Sequence, residues 1–304
     1  MSVTFNSPRG SIVALVTPML GSTSPYTAID EDSIKGLVDF HVESQTSAIV
    51  VVGTTGESAT LTSEEHCNMI SKVVTEVDGR IPVIAGTGSN STHEALFLTK
   101  EAKARGADAA LIVTPYYNKP TQKGLIEHHR IIANEVNLPQ ILYNVPSRTA
   151  CDMEVETVIE LSKLDNIIGV KEASGELDRV KTIRAGCKKN FMIYSGEDSN
   201  AKDFILNGGD GVISVTANVA PAKMSKMCEA ALVGDSERAT ELNNELMLLH
   251  ENLFVEANPI PVKWAVEQIG LIKKGIRLPL TELSPCNHEN IKIALDKASL
   301  LNQK

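Results

Sequence analysis

The chain has 304 residues, 42% hydrophobic and 22% charged, the balance of an ordinary globular protein, which excludes disordered and fibrous classes. Its 29 Lys and Arg against 38 Asp and Glu leave a formal charge of −9, and the cations stand singly or in pairs, which argues against a nucleic-acid binder. No apolar stretch approaches the roughly 18 residues of a membrane span, and the widely spaced Cys67, Cys151, Cys187, Cys228 and Cys286, with no signal-peptide pattern, predict a cytoplasmic protein with reduced thiols.

Short β-branched apolar runs alternate with longer segments of helical periodicity. The first strand, Ser11 to Thr17, stops at Pro18 and precedes a loop from Gly21 to Ala28. The second, Ala48 to Gly53, runs into Thr54-Thr55-Gly56-Glu57, and Thr62 with Glu65 marks a helix start by capping-box spacing. Val83 to Gly86 is the third strand, followed by the same spacing at Ser91 and Glu94. Ala109 to Thr114 leads into Pro115-Tyr116-Tyr117, and Gln140 to Tyr143 into Asn144, with Arg148 just beyond. Ile167 to Lys171, Phe191 to Ser195 and Gly211 to Val215 complete eight strands. Eight β/α units over about 230 residues predict a closed (β/α)8 barrel, whose usual size is roughly 250 residues. A doubly wound sheet is the competitor, and it would show fewer strands and a dinucleotide fingerprint. Beyond Gly234 the strand signals stop. Helical stretches near Ser236 to Leu253, Pro261 to Ile269 and Glu289 to Leu301 predict a C-terminal appendage, giving a barrel over 1–234 and a helical domain over 235–304.

In such a barrel the chemistry sits at the C-terminal ends of the strands, and here those ends are polar. Of five tyrosines, Tyr116, Tyr117, Tyr143 and Tyr194 fall at predicted strand ends. A rim also suits tyrosine without catalysis, because the ring is buried while the hydroxyl stays wet. Lys171 closes an apolar run, where burial disfavours the ammonium and leaves an amine able to form a Schiff base with a keto substrate. The plainer alternative is a lysine that reaches for solvent or pairs with Glu172. Gly53-Thr54-Thr55-Gly56 offers amides and hydroxyls for a small carboxylate; no Lys follows, so it is not a phosphate loop. Gly86-Thr87-Gly88 has Ser91 where a nicotinamide fingerprint needs its third glycine. The turns after the last two strands lack Lys and Arg, which argues against a phosphorylated substrate. Arg148 has the planar fork that grips a carboxylate, unless it is simply a surface arginine. No metal-ligand spacing occurs among the histidines. Together these residues suit a class I aldolase acting on a 2-keto acid.

The chain resembles the dihydrodipicolinate synthase family of the N-acetylneuraminate lyase superfamily over nearly its whole length. The motifs that carry the resemblance are Gly53 to Ser58, Tyr116-Tyr117-Asn118, Tyr143 to Thr149, Gly169 to Ala173 and Val212 to Asn218. The resemblance implies that Lys171 forms an imine with pyruvate, whose enamine adds to L-aspartate 4-semialdehyde. Cyclisation then gives 4-hydroxy-tetrahydrodipicolinate, on the route to diaminopimelate and lysine. It implies no cofactor beyond the covalent imine and no metal. Tyr143, Thr54 and Tyr117 would relay protons, the counterpart of Tyr117 crossing a subunit interface. Thr55 and the backbone at Ile213 would contact pyruvate, Arg148 the semialdehyde carboxylate, and Gly196 would line the pocket. Ser58, Ala59, His66, Asn90, Glu94 and Tyr116 match lysine-contacting positions of feedback-inhibited members. Ser63 stands where those members often have His, which implies weaker sensitivity; Asn90 and Glu94 could equally just cap and solubilise the third helix. A homotetramer built as a dimer of dimers is also implied, and the loop from Gly21 to Ala28 is longer than in compact members. Relatives that cleave keto sugar acids share the lysine and tyrosine, so these give the reaction class; Arg148 within Pro-Ser-Arg-Thr favours the synthase. A silent barrel that senses pyruvate or lysine is the other alternative, against which the intact relay argues.

Overall fold

The computed structural model describes residues 7–21 and 23–301. After β1 (Gly10–Ala14), a short antiparallel ribbon pairs β2 (Met19–Leu20) with β3 (Ala28–Ile29). The ribbon was not legible in the sequence, and Ser22 of its loop lies outside the described residues. Seven more strands follow: β4 (Ala48–Val51), β5 (Val83–Gly86), β6 (Ala109–Val113), β7 (Gln140–Asn144), β8 (Ile167–Glu172), β9 (Met192–Ser195) and β10 (Gly211–Ser214). With β1 they close, all parallel, into the expected barrel, in which β1 pairs with both β4 and β10. The first strand is shorter than its apolar run, because the Val16 N–H donates to Asn218 Oδ1 at 3.0 Å instead of continuing the ladder.

Helices α1 (Asp32–Glu43), α2 (Ser63–Val77), α3 (Thr92–Ala104), α4 (Gln122–Glu135), α5 (Pro146–Thr149), α6 (Val155–Leu161), α7 (Asp178–Gly186), α8 (Ala201–Leu206) and α9 (Pro221–Leu232) occupy the connections between strands. Thr62 and Glu65 form a complete capping box. Ser91 completes only half of one: it accepts from the Glu94 N–H, while the Glu94 carboxylate accepts from Ser89 Oγ at 2.5 Å. The strands alternate faces as the pleat demands. Ile12, Val50, Leu111 and Ile141 fill the barrel interior, and Val13, Ile49, Val51 and Ile112 join the apolar layer under the helices.

The C-terminal segment forms α10 (Ser236–Asn244), α11 (Met247–Asn252), α12 (Ile260–Gln268) and α13 (His288–Lys297). The expected helix from Ser236 to Leu253 is thus broken at Glu245 and Leu246. Leu249, Val266, Ile291 and Leu295 share one apolar cluster with Ile34, Val51 and Met224, so these helices pack onto the barrel's outer layer. A buried polar knot adds to that packing. Lys263 of α12 pairs with Glu57 in the turn after β4, the Arg277 N–H donates to Glu57 Oε2 at 3.1 Å, and the Arg277 guanidinium reaches Glu65 of α2 at 2.7 Å. Among the described residues no helix is long and apolar enough to cross a membrane, and the five cysteines are unpaired thiols.

Candidate active site

The phase of β8 decides which side chain enters the barrel. Gln140 faces Ile167, but Ile141 faces Gly169, so Ile168 is an extra residue in β8. Ile167 therefore packs outward and Ile168 inward, and beyond the bulge Val170 points out, Lys171 in and Glu172 out. Without it, Glu172 would face the interior, because a one-residue shift exchanges the two faces. Glu172 instead lies between β7 and α7, where Asn144 Nδ2 and the Ser174 N–H donate to it, and Arg179 lies 3.8 Å away. The alternative in which Lys171 pairs with Glu172 is not what forms.

Lys171 is 6% exposed, with Nζ 4.4 Å from the centroid of the Tyr143 ring on the neighbouring strand. Both open onto a cavity of about 410 Å³ at the C-terminal end of the barrel, a size typical of small-molecule sites. Thr54, Thr55, Arg148 and Gly196 share its wall. Gly196 has to be glycine: a Cβ there would lie 3.0 Å from Lys171 Cε and 2.5 Å from Ala173 Cβ. Arg148 sits on α5, exposed, and among the described residues its guanidinium has no acidic partner. Thr55 is buried and its Oγ1 accepts from Asn258 Nδ2 at 3.0 Å. Glu57 adopts a left-handed φ of 56° and is held by the Lys263 and Arg277 knot, which fixes the turn carrying both threonines.

Other wall residues escaped the sequence reading. Asp198 Oδ2 accepts from the Val215 and Thr216 N–H groups at 2.9 and 3.0 Å, tying the turn after β9 to the end of β10. His250 of α11 contacts Thr216 Oγ1 through Nδ1 at 2.9 Å, and burial pulls the imidazole below its ordinary range. Asn258 and His250 come from the C-terminal segment, where no local pattern marks them; their partners lie 203 and 34 residues away. The place of Asp198 two residues after Gly196 was the one available signal.

Not every expected residue reaches this cavity. Tyr194 is fully buried and its hydroxyl donates to the Pro8 carbonyl at 2.7 Å, so it closes the N-terminal floor of the barrel and does not belong to the mouth. Burial also raises its phenol well above the usual range. Ile213 belongs to the barrel interior and is not part of the cavity wall. Tyr117 is 89% exposed, in the left-handed region with φ 73°, on the outer surface. A second cavity of about 500 Å³ adjoins the first and shares Thr54, Val145, Arg148 and Asn258 with it. Ser58, Ala59, Ser63, His66, Glu94 and Tyr116 line it. Asn90 does not; its carbonyl accepts from Asn118 Nδ2 at 2.9 Å. His66 Nε2 lies 2.8 Å from the Gly86 carbonyl, and burial lowers the imidazole. Among the described residues no group of three His, Cys, Asp or Glu is placed to hold a metal.

The chain matches the model of the dihydrodipicolinate synthetase family over residues 7–298. It is 58% identical over 296 residues to the 4-hydroxy-tetrahydrodipicolinate synthase of Alcanivorax borkumensis, covering 97% of this chain and 99% of that one. Among solved structures, the chloride-inhibited dihydrodipicolinate synthase of Acinetobacter baumannii, complexed with pyruvate, superposes with a TM-score of 0.93 at 50% identity, covering 97% of this chain and all (100%) of that one. The enzyme of Cyanidioschyzon merolae with lysine bound gives 0.92 at 40% identity, covering 96% and 99%.

Proposed function

The chain belongs to the dihydrodipicolinate synthetase family, and on that premise we propose that it condenses pyruvate with L-aspartate 4-semialdehyde to give 4-hydroxy-tetrahydrodipicolinate. The observation that carries the reading is the buried Lys171 against the Tyr143 ring, in one cavity with Thr54, Thr55 and Arg148. Lys171 Nζ attacks the C2 carbonyl of pyruvate, and loss of water leaves an imine. Removal of a proton from C3 gives the enamine, whose C3 attacks the aldehyde carbon. The substrate amine then attacks the imine carbon, closing the ring and releasing Lys171. Each step moves a proton, and a hydroxyl chain from Tyr143 through Thr54 does so without a charged base beside the lysine. Tyr117, exposed here, completes that chain from a neighbouring subunit in a homotetramer of two tight dimers. Thr55 positions pyruvate, Arg148 grips the semialdehyde carboxylate, and Gly196 leaves room for the imine. No cofactor is needed beyond that imine. The catalytic barrel is residues 1–234, with the helical domain over 235–304, and the enzyme works in the cytoplasm.

L-lysine is the ligand we assign to the second cavity, on the polar wall of Ser58, His66, Glu94 and Tyr116 and on the Arg148 shared with the first. Ser63 makes the grip looser than a histidine would.

The test is the initial rate of pyruvate consumption with L-aspartate 4-semialdehyde, with and without millimolar lysine. Lys171→Ala is expected to lower the rate by at least roughly a thousandfold, as loss of a covalent nucleophile does. No wild-type rate, with pyruvate still trapped on Lys171 by borohydride, would move the substrate to a keto sugar acid that is cleaved to pyruvate and an aldehyde. Turnover untouched by lysine would remove the regulatory assignment.

A further inference from the structure

One charged wall of the cavity has no part in the chemistry above. Strand order places Lys171 on β8 between β7, whose following turn carries Arg148, and β9, whose following turn carries Glu197 and Asp198. A cation and two carboxylates thus flank the lysine on opposite sides, all in the cavity wall. The carboxylates are not equivalent. Asp198 is buried, its Oδ2 is taken by two backbone N–H groups, and its Oδ1 is sealed from solvent without a partner. Glu197 is half-buried, and among the described residues its carboxylate meets only the side-chain amide of Asn200, at 3.3 Å. Among the described residues no cation balances it, and burial alone pushes its carboxyl above the usual range. Glu251, also in the wall, is exposed and screened by water.

We propose that Glu197 binds the α-ammonium of the aldehyde substrate and so makes the enzyme specific for an amino aldehyde. The inference rests on the synthase reading of this site. L-aspartate 4-semialdehyde is a zwitterion that carries its ammonium and its carboxylate on one carbon, two bonds from the aldehyde carbon. Reading both groups takes a cation and an anion in the wall of one cavity, which Arg148 and Glu197 supply. A carboxylate that has lost part of its hydration and lacks a partner gains more from an incoming ammonium than one at the open surface. The ammonium also completes the charge balance of the wall, since Arg148 is answered by the substrate carboxylate.

The test compares L-aspartate 4-semialdehyde as substrate with succinate semialdehyde, the same aldehyde without the amino group, as an inhibitor competing with it. Glu197→Gln keeps the shape of the side chain and the Asn200 contact but removes the charge. It is expected to raise KM for the amino aldehyde roughly tenfold, as losing a charge-assisted contact does, and to leave the inhibition constant of succinate semialdehyde within about twofold. Borohydride trapping of pyruvate is expected to proceed at the wild-type rate, which separates loss of recognition from misfolding. Glu197→Asp keeps the charge and is expected to recover part of the preference. Equal weakening of both aldehydes, or of neither, overturns the assignment of Glu197 and leaves the synthase reading standing. A wild type that traps pyruvate but does not turn over the amino aldehyde overturns both.

Discussion

Tyr143 and Tyr194 flank Lys171 at the same level of the sheet, each paired with it across one strand boundary, yet their hydroxyls go to opposite ends of the barrel. Tyr194 finds the Pro8 carbonyl beneath the floor, and Tyr143 keeps its hydroxyl for the cavity. Sequence position put both tyrosines at strand ends; the Tyr194 hydroxyl is drawn to the floor by the partner that a buried hydroxyl needs, while Tyr143 stands in the cavity wall. Lys171 stood out in the sequence only in combination with Tyr143, the Gly53 to Gly56 turn and Arg148; taken alone, a lysine at the end of an apolar run could equally have reached solvent or paired with Glu172. Replacing Tyr143 by Phe keeps the ring against Lys171 and removes only the hydroxyl assigned to the proposed relay. Pyruvate imine formation, followed by rapid quench with borohydride, is expected to slow by roughly 10²-fold, the scale of one lost acid–base group, with little change in the concentration of pyruvate that half-saturates. An unchanged rate would remove Tyr143 from the relay.

At the scale of elements, strand and helix order was readable, but strand phase was not. A parallel strand buried on both faces reads as a continuous apolar run, so Ile167-Ile168-Gly169-Val170 does not say where the bulge lies or that it turns Lys171 inward. The ribbon of β2 and β3 was also hidden, since two-residue strands leave no period to detect. The Glu57 and Lys263 pair shows how α12 holds the turn after β4. Both side chains are out of solvent, so Lys263→Met strands an uncompensated carboxylate. Urea unfolding is expected to show a loss of about 3–5 kcal/mol, the usual cost of breaking a buried pair from one side. Glu57→Gln with Lys263→Met together is expected to cost less than the lysine substitution alone, because no bare charge remains. A loss below about 1 kcal/mol for the single change would mean that water reaches the pair.

Over the whole molecule, burial of neutral histidines sets the response to acid. Burial lowers His41 to about 3 and His128 to about 4, and drops His129, which also feels His128, well below its ordinary value of 6.5. Below pH 6.5 the unfolded chain takes up protons at these sites before the folded chain does. Stability is therefore full above pH 6.5 and falls as pH drops toward 4, by up to about 1.4 kcal/mol per pH unit for each such histidine. Glu65, held down to about 2 chiefly by its hydrogen bonds to Arg277, prolongs the loss below pH 4.5. Scanning calorimetry across pH 7 to 4 at constant salt is expected to show a steadily falling Tm, and a flat Tm would contradict the burial of neutral imidazoles. Barrel class and the place of Lys171 at a strand end followed from the chain's local order, because periodicity and strand ends are properties of neighbouring residues. The partnership of Asn258 with Thr55, the clamp of Lys263 on Glu57 and the common wall of the two cavities join residues some 200 positions apart. No local pattern records such contacts. They exist because closing the barrel and packing the C-terminal helices on it forces those side chains together, and a buried polar group has to find its partner wherever the fold places one.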